Sequence, residues 1–404
     1  MFASTIVFRF SLLAALVLTA PMALSASNTP LSIAVEAAWQ RSPLARTLEA
    51  RRGESVAGQE SAQSWIAGSP SVGLSQRKDR GSNQTGFRET EVSVSAPIWL
   101  PGQRSARESL ANVSADELEA QIAHTRLAIA GEVREHLWAV AGAREELAEA
   151  QDHQLHLEGL ADDVARRVKA GDLARTDGLL ARQEFLAGKS AITAAQIRLH
   201  AAMARYITLT GLKTIPSPEL EPIAPSMQEP HPRMLFAHKS VQRSQASLHA
   251  VNSTRSDPPT VGLSMRREQD GSMSGSSQSV GIAVQIPFGT NARNRPLESA
   301  ALTKIETARA EAAQTESMLQ SDIELARQQL TAAEQGLQAA SERAALTREH
   351  TELIAKSFRM GERGLSDLLR SHALSHEADI SERQQKVAVG LAHARLNQAL
   401  GILP

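Results

Sequence analysis

Two periods take turns along this chain. From Ser71 the residues alternate: Val72 and Leu74 lie on one side, with Ser71, Gly73, Ser75 and Arg77 on the other. A second such run places Val92, Val94, Ala96 and Ile98 opposite Glu91, Ser93 and Ser95. Both patterns return much later, where Val261, Leu263 and Met265 oppose Gly262, Ser264 and Arg266, and Val280, Ile282, Val284, Ile286 and Phe288 oppose Ser279, Gly281, Ala283 and Gln285. A period of two with one apolar face predicts half-buried strands, over about 70–78, 88–99, 259–267 and 279–288. Two settings satisfy the pattern. In a water-soluble sandwich the apolar face meets a core, and in an outer-membrane barrel it meets lipid. The polar segments Asp79–Gly86 and Glu268–Gln278 suit hairpin tips in water.

After each strand pair the period changes. Pro97 and Pro287 close the strands, Pro101-Gly102 and Gly289 turn the corner, and then more than 60 residues follow with almost no helix breaker, Gly102–Arg167 and Asn291–Lys356. Leu110, Val113, Leu118, Ile122, Ile129, Val133, Leu137, Val140 and Leu147 recur mostly at steps of three, four and seven. Leu302, Ile305, Ala312, Leu319, Ile323, Ala326, Leu330 and Leu337 do the same. This spacing holds a seam against a neighbouring helix, as in coiled coils. At 1.5 Å per residue, 60 residues reach roughly 90 Å, deeper than an ordinary domain. Each long helix ends at a glycine turn, Ala170-Gly171-Asp172 or Met360-Gly361-Glu362, and a return helix follows, Thr176–Leu209 or Ser366–Leu400.

The chain is also doubled. Pro43–Leu74 aligns without a gap on Pro232–Leu263, an offset of 189 residues, and Val168–Asp177 aligns on Phe358–Asp367 at an offset of 190. Each half therefore reads helix, strand, strand, very long helix, turn, long helix. The expected organisation is a signal segment 1–26, a first repeat 27–212 with its hairpin at about 102–212, a linker 213–232 and a second repeat 233–404 with its hairpin at about 291–402. The linker holds six prolines, at 216, 218, 222, 225, 230 and 232, and reads as an extended strap. Residues 1–26 carry Arg9, the apolar run Phe10–Leu18 and small residues at Ala23, Ser25 and Ala26, the pattern of a cleaved export signal.

Composition narrows the function. The net charge is −1 with both signs interspersed, which excludes the basic face that nucleic-acid binding needs. No cysteine is present, so neither a disulfide framework nor a lipid anchored on cysteine is available. Aromatic residues make up 3% of the chain, which points to thin packing layers instead of one thick core. Four strands cannot close a barrel, and open edges in lipid leave backbone groups unpaired at several kcal/mol each. Strands from several copies must then combine, and a trimer supplies twelve.

The doubled order, the corner prolines and the tip segments Val168–Asp177 and Gly361–Leu369 resemble those of the TolC-like outer-membrane efflux proteins, over nearly all of residues 31–404. The corner Ser95–Arg107 is similar to that of the CzcC-like heavy-metal branch. The fold that this resemblance implies is mainly α with a small membrane β part: three copies form a 12-stranded β-barrel on a long α-helical tube. The implied function is a passive homotrimeric exit duct reaching from the outer membrane of a Gram-negative cell into the periplasm. Its implied partners are a periplasmic adaptor, an inner-membrane pump of the resistance-nodulation-division (RND) type, and outer-membrane lipid. Heavy-metal cations are the expected cargo; drugs or secreted proteins are the alternative. A soluble periplasmic coiled-coil scaffold is the competing class.

Residue expectations follow. Val72, Leu74, Val92, Val94, Val261, Leu263, Ile282 and Val284 are expected to face lipid. By resemblance, Asp177, Arg363 and Asp367 match the periplasmic aperture, with Arg363 pairing either with Asp367 along its helix or with Asp177 across to the neighbouring hairpin. Arg370 would dilute the field of an Asp367 ring. Alternatively the two aspartates are plain first-turn carboxylates that favour a helix N-terminus. Gly171, Leu173, Gly361 and Leu365 are expected at the adaptor contact, or else the leucines staple the hairpin. The pairs His153/His156 and His372/His376 have metal-sharing spacing, but no third ligand adjoins either, so both read as ordinary helix residues. No hydrolase, zinc-protease, Walker or dinucleotide motif occurs, so neither an enzyme nor a cofactor is expected.

Overall fold

The computed structural model describes residues 30–79, 86–269 and 275–404. The expected signal segment and most of the two strand-connecting loops lie outside these residues. In chain order the elements are α1 (Pro30–Arg41), α2 (Pro43–Gln63), β1 (Ser71–Lys78), β2 (Arg88–Pro97), α3 (Gln103–Ala170) and α4 (Arg175–Thr210). The second half contributes α5 (Pro232–Ser253), β3 (Thr260–Gln269), β4 (Ser276–Gln285), α6 (Asn291–Arg359) and α7 (Leu365–Ala399). The fold is mainly helical with one small antiparallel sheet, as the periods predict.

The strands form a meander in the order β1-β2-β3-β4. Register runs straight across it: Val72 pairs with Val94, Val94 with Leu263, and Leu263 with Ile282. The largest differences from the expected strand ends are at the two ends of β4. β4 spans 276–285, not 279–288, because Ser276, Ser277 and Gln278 pair with Gln269, Glu268 and Arg267 at the polar end. At the other end the ladder stops at Thr260–Gln285; the next residue of β3 would be Pro259, whose nitrogen has no hydrogen to donate.

The helices of 68 and 69 residues extend about 100 Å each. Ser42 accepts from the Ala45 N–H with Pro43 at the first helical position, which starts α2, and Thr290 accepts from the Arg293 N–H, which starts α6. At the corner, Trp99 Nε1 donates to the Ser64 carbonyl at 2.9 Å and Gln103 donates to the Ser256 carbonyl at 2.8 Å, so the start of α3 is tied to both repeats.

Among the described residues, apolar packing gathers in three clusters. One joins α1, α2, α3 and α4 around Leu48, Val133, Val140 and Tyr206, with Ile215 of the strap inserted. A second sits at the tip, and a third joins α6 and α7 with Ala224 and Met227 of the strap against it. The strap is thus a bound element, more than a tether. Its Glu221 takes a bidentate pair from Arg134 at 2.7 and 3.0 Å, and Arg134 also donates to Gln398 at 2.8 Å and to the Ile402 carbonyl at 3.1 Å. Arg134 is only 2% exposed, so one buried guanidinium fastens α3, the strap, α7 and the C-terminal segment.

The single chain exposes 26358 Å², whereas a compact monomer of 43.4 kDa would expose on the order of 15,000 Å². The two very long helices and the uncovered sheet both contribute to that excess.

Candidate functional site

Over the rows nearest the helices the sheet separates its two faces by chemistry, whereas at the loop end Gln76, Thr90, Arg267 and Gln278 make both faces polar. One face carries rows of Val72, Val94, Leu263 and Ile282, then Leu74, Val92, Met265 and Val280, with Val261 and Val284 beyond. These side chains are not covered: Val72 is 77% exposed, Leu74 76% and Ile282 77%. All eight residues expected to face lipid lie on this one face. The opposite face starts with Gly73, Ser93, Ser264 and Gly281 and continues to Glu91 and Arg266. There Arg266 bridges Glu91 at 3.0 Å, Glu89 at 3.1 Å and Glu268 at 3.8 Å. Ten strand residues at about 3.3 Å extend about 33 Å, which becomes about 25 Å at the tilt of about 40° usual in closed barrels. The apolar row of β3 occupies the part of that height from Val261 to Met265, and Arg267 and Gln269 end the same face in polar side chains. The outer edges of β1 and β4 have no strand neighbour among the described residues.

At the far end the two glycine turns take the left-handed conformation, φ +90° at Gly171 and +78° at Gly361, where a side chain would be strained. Beneath them Val164, Ala181, Phe358, Leu365 and Leu368 form the tip cluster, with Leu173 packed against it. Leu365 is 2% exposed, so its side chain staples the hairpin and presents no surface. The turn glycines, with Met360 beside them, lie at the surface.

The expected aperture residues divide between two jobs. Asp177 accepts from the Ala174 backbone N–H at 3.3 Å, which caps α4. Arg363 and Asp367 approach to 3.7 Å, and both are more than half exposed, so within one copy the pair forms along the helix.

The histidine pairs hold the largest departure from sequence reasoning. His153 and His156 of α3 meet His372 and His376 of α7 in one cavity, closed on its side by Arg348, Thr351 and Glu352 of α6. The rings of His153 and His376 stack with centroids 3.7 Å apart and planes at 8°. Glu149 bonds His376 Nδ1, and the Asp152 carbonyl lies 2.8 Å from His156 Nδ1. Burial, then repulsion from His376, His372 and His156, pushes the His153 pKa down to about 4. Burial lowers that of His372 as well, with His156 adding to it. One signal for this meeting was available: His156 lies 15 residues before Gly171 and His376 lies 15 after Gly361, equal heights on two helices, one running into the tip and the other out of it.

No protein-family model matches the sequence, and no curated protein matches it. Solved structures do match its fold. A membrane protein from Pseudomonas aeruginosa superposes with a TM-score of 0.77 at 18% identity, over 92% of this chain and 93% of that one. The outer membrane protein VceC of Vibrio cholerae gives 0.75 at 14% identity, over 92% and 96%. The outer membrane channel CmeC of Campylobacter jejuni gives 0.75 at 12% identity, over 92% and 85%. At these identities the likeness concerns architecture, and this chain has the fold of those membrane proteins over 92% of its length.

Proposed function

We propose that this chain is the outer-membrane channel of a tripartite efflux system. Three copies join their sheets edge to edge into a 12-stranded barrel and their hairpins into a tube, a passive exit duct that crosses the outer membrane and reaches through the periplasm. The observation that carries this reading is the exposed apolar face of the sheet. Water-exposed rows of valine, leucine and isoleucine forgo about 25 cal/mol for each Å² left uncovered, and a lipid setting removes that cost while the small and charged face lines water. The architecture shared with outer-membrane channels supports it, and so do the two open strand edges. A soluble scaffold would have to bury that face in its own interior.

The tip is the proposed inner end of the duct. Asp177, Arg363 and Asp367 narrow the aperture there, with the Arg363–Asp367 link as one of its ties. An adaptor contacts the exposed turns at Gly171 and Gly361, which Leu173 and Leu365 hold in place from below. An inner-membrane pump of the RND type delivers the cargo. The finer cargo reading is heavy-metal cations, supported by the CzcC-like corner Ser95–Arg107 and by an inner strand face where Glu89, Glu91 and Glu268 outnumber Arg77 and Arg266.

Cell fractionation and native mass analysis test the channel reading: the mature protein should enter the outer membrane and run as a detergent-soluble trimer. Recovery as a soluble monomer would refute it. A deletion strain challenged with zinc, cobalt, copper and silver beside a drug panel tests the cargo; sensitivity to drugs alone would replace metal with drug efflux.

A further inference from the structure

The histidine cavity has a construction that neither the duct nor its aperture uses. Its donors come from both repeats, Glu149, Asp152, His153 and His156 from α3 and His372 and His376 from α7. Two imidazoles have one nitrogen already engaged. Glu149 holds His376 Nδ1 and the Asp152 carbonyl receives His156 Nδ1–H, which leaves each Nε2 with a free lone pair. A carboxylate or carbonyl on the far ring nitrogen is the usual outer support of a metal-ligating histidine, because it fixes the tautomer and raises ligand basicity. His372 stands one turn before His376 on the same helix face, the i, i+4 spacing that lets two side chains share a partner.

The charged neighbours are spoken for. Asp152 pairs with Arg383 at 2.8 Å, and Asp379 pairs with Arg348 at 2.7 Å. What remains beside Glu352 is a set of imidazoles, suited to borderline cations such as Zn²⁺ or Co²⁺ more than to Mg²⁺ or Ca²⁺, which require a full set of oxygens.

We propose that this cavity binds one Zn²⁺-class cation per chain, through Nε2 of His156 and His376 with His372 as third ligand and water in the fourth position. Among the described residues no three such side chains stand ready around one point. Binding therefore requires the His156, His372 and His376 side chains to rotate toward one another, and His153, which lies flat against His376 without being a ligand, to leave the stack as they do. The bound ion would join α3 to α7, one helix from each repeat, and clamp the two hairpins above the tip. This site is independent of what the duct exports, and it would exist on a chain that was no duct.

The test uses the full mature protein, purified without a polyhistidine tag, stripped with chelator and dialysed against Zn²⁺ or Co²⁺. One metal per chain should survive desalting, and bound cobalt should show the intense visible bands of a four-coordinate site. Glu149→Gln should weaken zinc binding about 10-fold or more through lost support of His376. His156→Gln with His372→Gln should abolish uptake, whereas His200→Gln, an exposed histidine elsewhere, should leave it unchanged. Zinc retained far below one per chain, cobalt without those bands, or equal retention by the double variant would each overturn the proposal. The first two readings need only the native protein, so they decide the matter even if the double variant fails to assemble. Failure of the channel reading would show separately, as a soluble monomer.

Discussion

The helical middle and the strand sheet of this molecule are finished to different degrees by one chain. In the middle, Arg134, Glu221, Gln398 and the Ile402 carbonyl satisfy one another, and Ile215, Tyr206 and Val140 lie buried around α3. In the sheet the apolar residues are the exposed ones, and two strand edges end without a strand neighbour among the described residues. Both regions are built from ordinary elements with correct caps and register. The difference shows that a fold can be locally complete and still leave open, in one copy, the kind of surface a globular domain buries.

Breaking the finished region should cost most. Arg134→Ala leaves the Glu221 carboxylate, itself largely covered, without its partner, and should destabilise the chain by about 3–5 kcal/mol in chemical denaturation. Adding Glu221→Leu to Arg134→Met should recover part of that loss, because both charges are then gone. In the sheet the same denaturation experiment is the wrong probe; insertion is the right one. Leu263→Arg, on the apolar face, should reduce insertion into lipid vesicles by about 2–4 kcal/mol. Ser264→Arg, one residue along on the opposite face, should insert as the parent does.

A smaller difference separates the regions by pH. His124 and His231, in the middle, are both held below the ordinary histidine value of 6.5, first by burial and then by the nearby charge of Arg233. Each is neutral when folded and takes a proton more readily when unfolded. Their contribution is therefore fully present above about pH 6.5 and is lost as pH falls below it toward their folded values. Urea midpoints measured at pH 7.5 and pH 5 should fall with acid, and His124→Phe, which keeps a ring against Phe236, should flatten the dependence. The smallest stability effect is at the tip. Arg363→Ala with Asp177→Ala should change folding stability by only ~0–1 kcal/mol, yet raise single-channel conductance in planar bilayers. Unchanged conductance would count against the aperture assignment.

What was legible in the sequence was whatever is periodic or local. The alternation through Val72, Val94, Leu263 and Ile282 predicted not only strands but a shared face, and the register confirms that these four lie in one row. The glycine turns and corner prolines marked the hairpins because only a few backbone geometries suit those residues. Contacts between elements far apart in the chain left no such mark. Arg134 and Gln398 are separated by 264 positions, and neither carries a local sign that it will be buried. The proline-rich strap read as a spacer, since its composition does not reveal that Glu221, Ala224 and Met227 are docking points. The histidine pairs were visible, but their meeting depends on how α3 and α7 pack, which neither helix encodes alone. At the tip, Leu365 was read both as a contact residue and as a staple, and its burial favours the staple.

The central claim is that the apolar face of the sheet meets lipid. Because the chain has no cysteine, single cysteines carrying a fluorophore can be placed one at a time along β1 and β4 in the membrane-reconstituted protein. Quenchers confined to the lipid phase should dim probes at positions 72, 74, 280 and 282, and water-soluble quenchers should dim those at 73, 75, 279 and 281, in strict alternation. Uniform access from water at every position, with the protein monomeric in the absence of detergent, would contradict the account.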